Sequence, residues 1–205
     1  MTAAEPPATI HLVDDDPAVL RALRRLLTAA GHGCATYASA EAFLARPRSD
    51  GLGCAVIDLR LPGASGLELQ AHLAAGQDEL PVIFLTGQGD IGASVRAMKE
   101  GAVDFLTKPV EPQALLAAIA VALARGRRRR AAREAAANLA QRLAQLTPRE
   151  REVLERVVEG RLNKQIAAEL GIAEKTIKVH RARFMHKLGV RTIADLVRLV
   201  LGHRR

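Results

Sequence analysis

The stretches VDDDP (13–17), CAVIDLRLPG (54–63), PVIFLTG (81–87) and VDFLTKP (103–109) decide the fold of the first half of the chain. Each opens on an apolar run too short for a helix and rich in β-branched or aromatic residues, which reads as a buried strand. Each then turns abruptly polar or turn-forming. TIHLV (9–13), CATY (34–37), CAVID (54–58), PVIFLT (81–86) and VDFLT (103–107) give five such runs. Amphipathic stretches with helix-start signals separate them. Asp16 caps a helix with Pro17 in its first turn. Ser65 and Glu68 form a capping box, Asp90 caps the next helix, and Glu111-Pro112 opens the last. Five strands alternating with five helices imply a parallel sheet covered on both faces, the doubly wound α/β class. The flavodoxin-like order 2-1-3-4-5 is the common solution at this size.

That order places a crevice at the carboxyl ends of strands 1 and 3. Asp14 and Asp15 follow the first strand and Asp58 ends the third, so three carboxylates crowd one edge. Like charges that close repel unless a cation sits among them. Mg²⁺ suits such a site, since it accepts one or two carboxylates together with waters and phosphate oxygens. Thr86 at the end of strand 4 adds a hydroxyl, and Lys108 after strand 5 adds an ammonium. Carboxylates, hydroxyl and lysine around one cation suit a phosphoryl group, and a carboxylate can itself attack to form an acyl phosphate. GQGDIG (87–92) fits the dinucleotide pattern G-x-G-x-x-G, but it follows the fourth strand rather than the first. It also leaves the carboxylates and Lys108 unexplained.

The chain has 205 residues, 49% of them apolar, enough for an ordinary domain plus a small one. No apolar run approaches the roughly 20 residues that span a bilayer. MTAAEPPAT at the start lacks a basic, then apolar, signal pattern, so a cytoplasmic protein is expected. Cys34 and Cys54 are read as buried thiols rather than a disulfide or a metal site. Charge divides the chain. Residues 1–123 hold nine Lys and Arg against fourteen Asp and Glu, net −5. Residues 124–205 hold twenty-one against eight, net +13. A basic half of this strength points to a polyanion, most simply nucleic acid.

Residues 112–146 read as one long helical segment containing GRRRRAAREAAANLAQRLAQL. Leu139, Leu143 and Leu146 share one helix face and suggest pairing with a second copy. Four short helices follow. Thr147-Pro148-Arg149-Glu150 starts the first, which Gly160 ends. The second runs from Asn163 to Leu170-Gly171, the third from Glu174 to Leu188, and the fourth from Thr192 to Leu201. Tight glycine turns between short helices fit a helix-turn-helix. In the third, Ile177, Phe184 and Leu188 form an apolar stripe with Val179 and Met185 near it. Lys175, Lys178, Arg181, Arg183 and Lys187 surround it with charge. Asn163, Lys164 and Gln165 lie near the start of the preceding helix, placed for phosphates.

VDDDP, IDLRLPG, LTG and DFLTKP, in that order and each at a strand end, resemble the receiver domains of two-component response regulators over about residues 8–125. The resemblance implies that Asp58 accepts a phosphoryl group from a sensor histidine kinase. It implies that Asp14 and Asp15 organise Mg²⁺ with Asp58 and the backbone carbonyl of Arg60. Lys108 would pair with the phosphate and precede a cis peptide to Pro109. Thr86 would move toward the phosphate and let Phe105 rotate inward. LTPREREVL (146–154), NKQIAAELGI (163–172) and KTIKVHRARFMHKLGV (175–190) resemble the LuxR-type helix-turn-helix over about residues 143–203. The two together are similar to the FixJ/NarL class. That resemblance implies that Lys178 and Val179, with Arg181 or Ala182, face bases. Lys164, Lys175, Thr176 and His180 would contact the DNA backbone or position the helix.

The expected organisation is a receiver domain at 8–125, a helical linker at 126–142 and a DNA-binding domain at 143–205. The expected protein is a DNA-binding regulator of transcription, not an enzyme. Its expected partners are the kinase, double-stranded DNA, RNA polymerase and, after phosphorylation through the face of the fourth helix and fifth strand (Ile91, Val95, Met98, Val103), a second copy. Two rival readings are a hydrolase using the acidic pocket and a regulator whose pocket is vestigial.

Overall fold

The computed structural model describes residues 8–47, 51–75, 80–87 and 91–202. The chain falls into two compact units, Met1–Arg130 and Ala131–Arg205. In the first, β1 (Thr9–Val13), β2 (Gly33–Tyr37), β3 (Gly53–Asp58), β4 (Val82–Thr86) and β5 (Asp104–Thr107) form one parallel sheet. Its order is β2-β1-β3-β4-β5, as the alternation of runs predicts. Helices α1 (Pro17–Ala29), α2 (Ala40–Leu44), α3 (Gly66–Ala75) and α4 (Ile91–Lys99) connect the strands.

The central strands read as unbroken apolar runs because both faces are covered. Every residue of β3 and β4 is buried. One core, with Ile10, Leu12, Val56, Ile83, Leu85, Leu115 and Ile119, lies beneath α1 and α5 (Pro112–Ala144). The other, with Val13, Ile57, Leu69, Phe84 and Ala97, lies beneath α2, α3 and α4. The expected caps form. Asp16 accepts the Ala18 N–H at 2.7 Å, and Glu111 accepts that of Ala114 at 2.6 Å. Ser65 and Glu68 exchange the two bonds of a capping box. Asp90 lies outside the described residues. Gly126 sits inside α5 because a Cβ there would crowd Leu52 at 3.3 Å and Pro81 at 3.6 Å.

In the second unit, α6 (Pro148–Val158), α7 (Asn163–Leu170), α8 (Glu174–Leu188) and α9 (Ile193–Gly202) surround Val153, Ile166, Ile177, Phe184, Leu188 and Leu196. A capping box at Thr147 and Glu150 opens α6 as expected. Gly171 and Gly189 end α7 and α8 in the left-handed conformation. Two expectations need correction. Leu139 and Leu146 are buried in this core and Leu143 packs against it, so the unit covers the leucine stripe itself. Leu146 also lies beyond the end of α5. Cys54 is buried, and burial pushes its thiol up to about 12, but Cys34 is only half-buried. No helix among the described residues is long and apolar enough to cross a membrane.

Candidate functional site

Three strand ends and one loop converge at the carboxyl edge of the sheet. Polar residues begin where β1 and β3 end, because the pleat there no longer has an apolar layer above it. Asp14, Asp15 and Asp58 each bring a carboxylate oxygen within 4.8 Å of the other two. Asp14 is 1% exposed and Asp58 8%, while Asp15 faces solvent. Lys108 follows β5 and a cis peptide joins it to Pro109. Its Nζ donates to Asp14 Oδ2 at 2.6 Å and to Asp58 Oδ2 at 2.7 Å.

The two buried carboxylates are held alike. Asp14 Oδ1 accepts the Asp16 N–H at 2.9 Å, and Asp58 Oδ1 accepts the Arg60 N–H at 3.2 Å. Each aspartate thus turns one oxygen to the backbone two residues on and the other to the ammonium. Such local bonds fix the loop as well as the side chain. Burial by itself opposes the charge on Lys108. The hydrogen bonds and charges of Asp14 and Asp58 outweigh it, and the ammonium pKa lies above its ordinary value. Three carboxylates this close form a hard-oxygen set that suits a small divalent cation.

Thr86 is buried, and its hydroxyl donates to the Gly87 carbonyl at 3.0 Å rather than to a carboxylate. Its carbonyl accepts the Lys108 N–H at 2.6 Å, so the two residues are joined through the backbone. Phe105 is half-buried, its ring 6.3 Å from that of Phe84.

In the second unit, α7 and α8 pack through Ile166, Ile177 and Phe184. Lys175, Thr176, Lys178, Val179 and Ala182 are exposed on α8, and Lys164 is exposed on α7. Val179 is 41% exposed, so it leaves the apolar stripe and stands beside Lys178 and Ala182. Lys178 Nζ lies 3.2 Å from Glu174. Arg181 is half-buried and donates to the Asn163 side-chain oxygen. His180 is half-buried, and its Nδ1 has no hydrogen-bond partner.

Residues 10–120 match the family described as response regulator receiver domain, and residues 144–200 match the luxR family of bacterial regulatory proteins. The chain belongs to the response regulators. Nodulation protein W of Bradyrhizobium diazoefficiens is 44% identical to this response regulator over 198 residues, 97% of this chain and 87% of that protein. Response regulator protein TodT of Pseudomonas putida is 42% identical, over 94% of this chain and 85% of its own. The solved structure of the response regulator StyR covers 96% of this chain and 99% of its own, at 49% identity and a TM-score of 0.85. The response regulator thus joins a receiver domain to a LuxR-type DNA-binding domain.

The structure brings Asp14, Asp15, Asp58 and Lys108 together as their strand-end positions predict. It does not bring the Thr86 hydroxyl to them. At Arg60 it is the N–H that reaches the pocket, donating to Asp58 Oδ1. Two basic residues of α8 turn inward. Lys187 Nζ lies 2.6 Å from Glu150, which is 2% exposed, and Arg181 is taken up by Asn163. Gln165, near the expected phosphate contacts, instead accepts the Leu162 N–H at 2.9 Å. Sequence reading did not find the Glu150–Lys187 pair. The only local signal was a glutamate already claimed by a capping box.

Proposed function

We propose that Asp58 is the phospho-acceptor of this response regulator. The carrying observation is the single ammonium shared by Asp14 and Asp58 beside the exposed Asp15. Asp58 is slightly open to solvent, and its Oδ2 faces away from the backbone bond that holds Oδ1. That oxygen attacks the phosphorus of a phosphohistidine on a sensor kinase. An O–P bond forms, the P–N bond breaks, and the imidazole leaves. Asp14, Asp15 and Asp58, with the Arg60 carbonyl, would hold Mg²⁺, which offsets the charge of the phosphoryl oxygens. Lys108 then exchanges a carboxylate acceptor for a phosphate oxygen, and Thr86 and Phe105 follow as the switch.

The phosphorylated chain pairs with a second copy through α4, where Val95 is 50% and Met98 47% exposed. The side chain of Ile91, expected on the same face, lies outside the described residues, and Val103 is half-buried. Pairing brings two DNA-binding domains to two half-sites and raises affinity through effective concentration. Lys178, Val179 and Ala182 face bases, while Lys164, Lys175 and Thr176 meet the DNA backbone. Asn163 and His180 position α8, and Arg181 does so through Asn163. The complex acts on transcription with RNA polymerase in the cytoplasm. The domains divide at about 8–125 and 143–205, with residues 126–142 as a linker.

The regulator reading is favoured over a hydrolase because, among the described residues, the hydrogen bonds to Asp58 come from Lys108 and a backbone N–H, neither of them a base for fast dephosphorylation. Acetyl phosphate with Mg²⁺ should produce a phosphate-dependent mobility shift in the wild type and none in Asp58→Asn. Beryllofluoride with Mg²⁺ should tighten binding to DNA in a gel shift. Labelling of the Asp58→Asn variant would overturn the assignment.

A further inference from the structure

Residues 127–130 place four arginines in succession inside α5. Like charges this dense disfavour a helix. The alanines around them supply the propensity to keep it. Arg127, Arg128 and Arg129 are exposed, and among the described residues none of the three has an acidic partner. Arg96 and Lys178 are exposed and matched, by Glu100 and Glu174, while isolated exposed cations such as Lys175 and Arg183 stand singly among the described residues; residues 127–129 differ from both in bringing three exposed guanidinia together in succession. Arg125, two residues before the run, is tied to the Gly101 carbonyl at 3.0 Å. The Cα atoms of the three unmatched arginines lie within about 3 Å along the helix axis, and their side chains leave it at about 100° intervals. Duplex DNA carries about one charge per 1.7 Å of axis, on two strands flanking a groove wide enough to admit a helix. A fan of guanidinia suits phosphates on both groove walls. It suits a flat anionic membrane poorly, because the run has no apolar face to insert.

We propose that Arg127, Arg128 and Arg129 form a second, sequence-independent DNA contact that grips phosphates outside the footprint of the helix-turn-helix. The inference rests on the DNA-binding reading above and adds a surface to it. The contact serves affinity and not base choice, because guanidinium–phosphate bonds carry no base information.

The test uses the full chain and a 40-base-pair duplex of arbitrary sequence, with binding read by fluorescence anisotropy across a salt series. Each phosphate contact contributes about 0.9 to the slope of log affinity against log salt. With all three arginines engaged, the R127Q/R128Q/R129Q variant should lower that slope by about 2.7. Between 50 and 200 mM salt the wild type should then lose about 40-fold more affinity than the variant. The R127K/R128K/R129K variant should keep the wild-type slope, and circular dichroism should show unchanged helicity in both. An unchanged slope in a folded glutamine variant overturns the inference while leaving DNA binding by the helix-turn-helix in place. Wild-type chain that binds no duplex at any salt overturns the DNA reading itself. Loss of binding to phosphatidylserine–phosphatidylcholine vesicles, with no change in the DNA slope, would assign the run to membranes and overturn the inference as well.

Discussion

Replacing Lys108 with methionine tests the pocket most directly. The substitution keeps the unbranched side chain out to Cε and removes the ammonium shared by two buried carboxylates. Removing one partner of a buried ion pair costs about 3–5 kcal/mol. Lys108 keeps 24% of its side chain exposed, and solvent screening reduces that to about 2–3 kcal/mol. For a unit of this size each kcal/mol moves the melting point by about 4 °C, so the variant in EDTA should melt about 10 °C lower. Mg²⁺ should then stabilise the variant more than the wild type. It has three carboxylates to itself in the variant, whereas in the wild type the ammonium already occupies Oδ2 of two. At a hundred times its dissociation constant it returns about 2.7 kcal/mol, most of the loss. The alkaline limb follows from the raised ammonium pKa. Lys108's contribution is complete below its ordinary 10.5 and disappears as pH rises through the higher folded value. The gap between wild type and variant should therefore hold steady from about pH 6 to 9 and close only above about 10.5. Thermal melts by circular dichroism, with EDTA and with MgCl₂, read all of this. A variant melting within about 2 °C of wild type in EDTA, or equal stabilisation of both chains by Mg²⁺, would refute the reasoning.

Gly66→Ala would place a Cβ 2.6 Å from the Asp58 carbonyl and 3.0 Å from the Phe84 ring. It should push the β3–α3 loop off the pocket, costing about 1–3 kcal/mol and slowing phosphorylation by acetyl phosphate in a timed mobility assay. Glu150→Gln removes the carboxylate that meets Lys187 while its amide oxygen can still accept the Thr147 N–H, and should cost about 1–2 kcal/mol in urea unfolding. Burial pushes the Glu150 carboxyl up, but Lys187 and the Thr147 N–H outweigh it and hold it below its ordinary 4.5. Its contribution is present above that value and is lost as pH falls through the lower folded one, so the wild-type advantage should vanish in acid. Phe184→Ala, at a fully buried position of α8, should cost about 3–5 kcal/mol and abolish hydrogen-exchange protection in residues 131–205. Asn163→Ala releases Arg181 and should weaken binding to duplex DNA while leaving phosphorylation of Asp58 untouched, as gel shifts and labelling on one preparation would show.

What the sequence made legible follows from which forces are local. β1, β3 and β4 announce themselves because a strand buried on both faces must be apolar throughout. Asp16, Ser65–Glu68 and Thr147–Glu150 announce helix starts because a cap and its N–H lie within three residues of each other. The pocket was legible because strand ends in a parallel sheet share one edge, which turned four distant motifs into one place. Contacts across long separations were not legible. Lys187 and Arg181 read as surface charge on α8, and only packing shows that Glu150 and Asn163 claim them. Leu139 and Leu143 keep their spacing on α5 while Leu146 falls beyond it, and the period says nothing of whether the covering face belongs to a second copy or to the same domain.

The matched bonding of Asp14 and Asp58 bears on how a single modification can be felt beyond the pocket. Each carboxylate keeps Oδ1 on a backbone N–H, so whatever happens at Oδ2 leaves its loop anchored. On the proposed reading, a phosphoryl group on Asp58 Oδ2 removes one of the two acceptors that hold Lys108 and offers new ones farther out. Lys108 is also joined to β4 through its backbone. Its N–H is bonded to the Thr86 carbonyl, and the Thr86 hydroxyl is bonded to Gly87. On that same reading, the Thr86 hydroxyl would give up the neighbouring Gly87 carbonyl and gain a phosphate oxygen at the end of β4. Phe105, half-buried, lies opposite Phe84 in register on that strand. The bonds between these named groups would, on the proposed reading, carry the signal from Asp58 toward the face of α4 and β5.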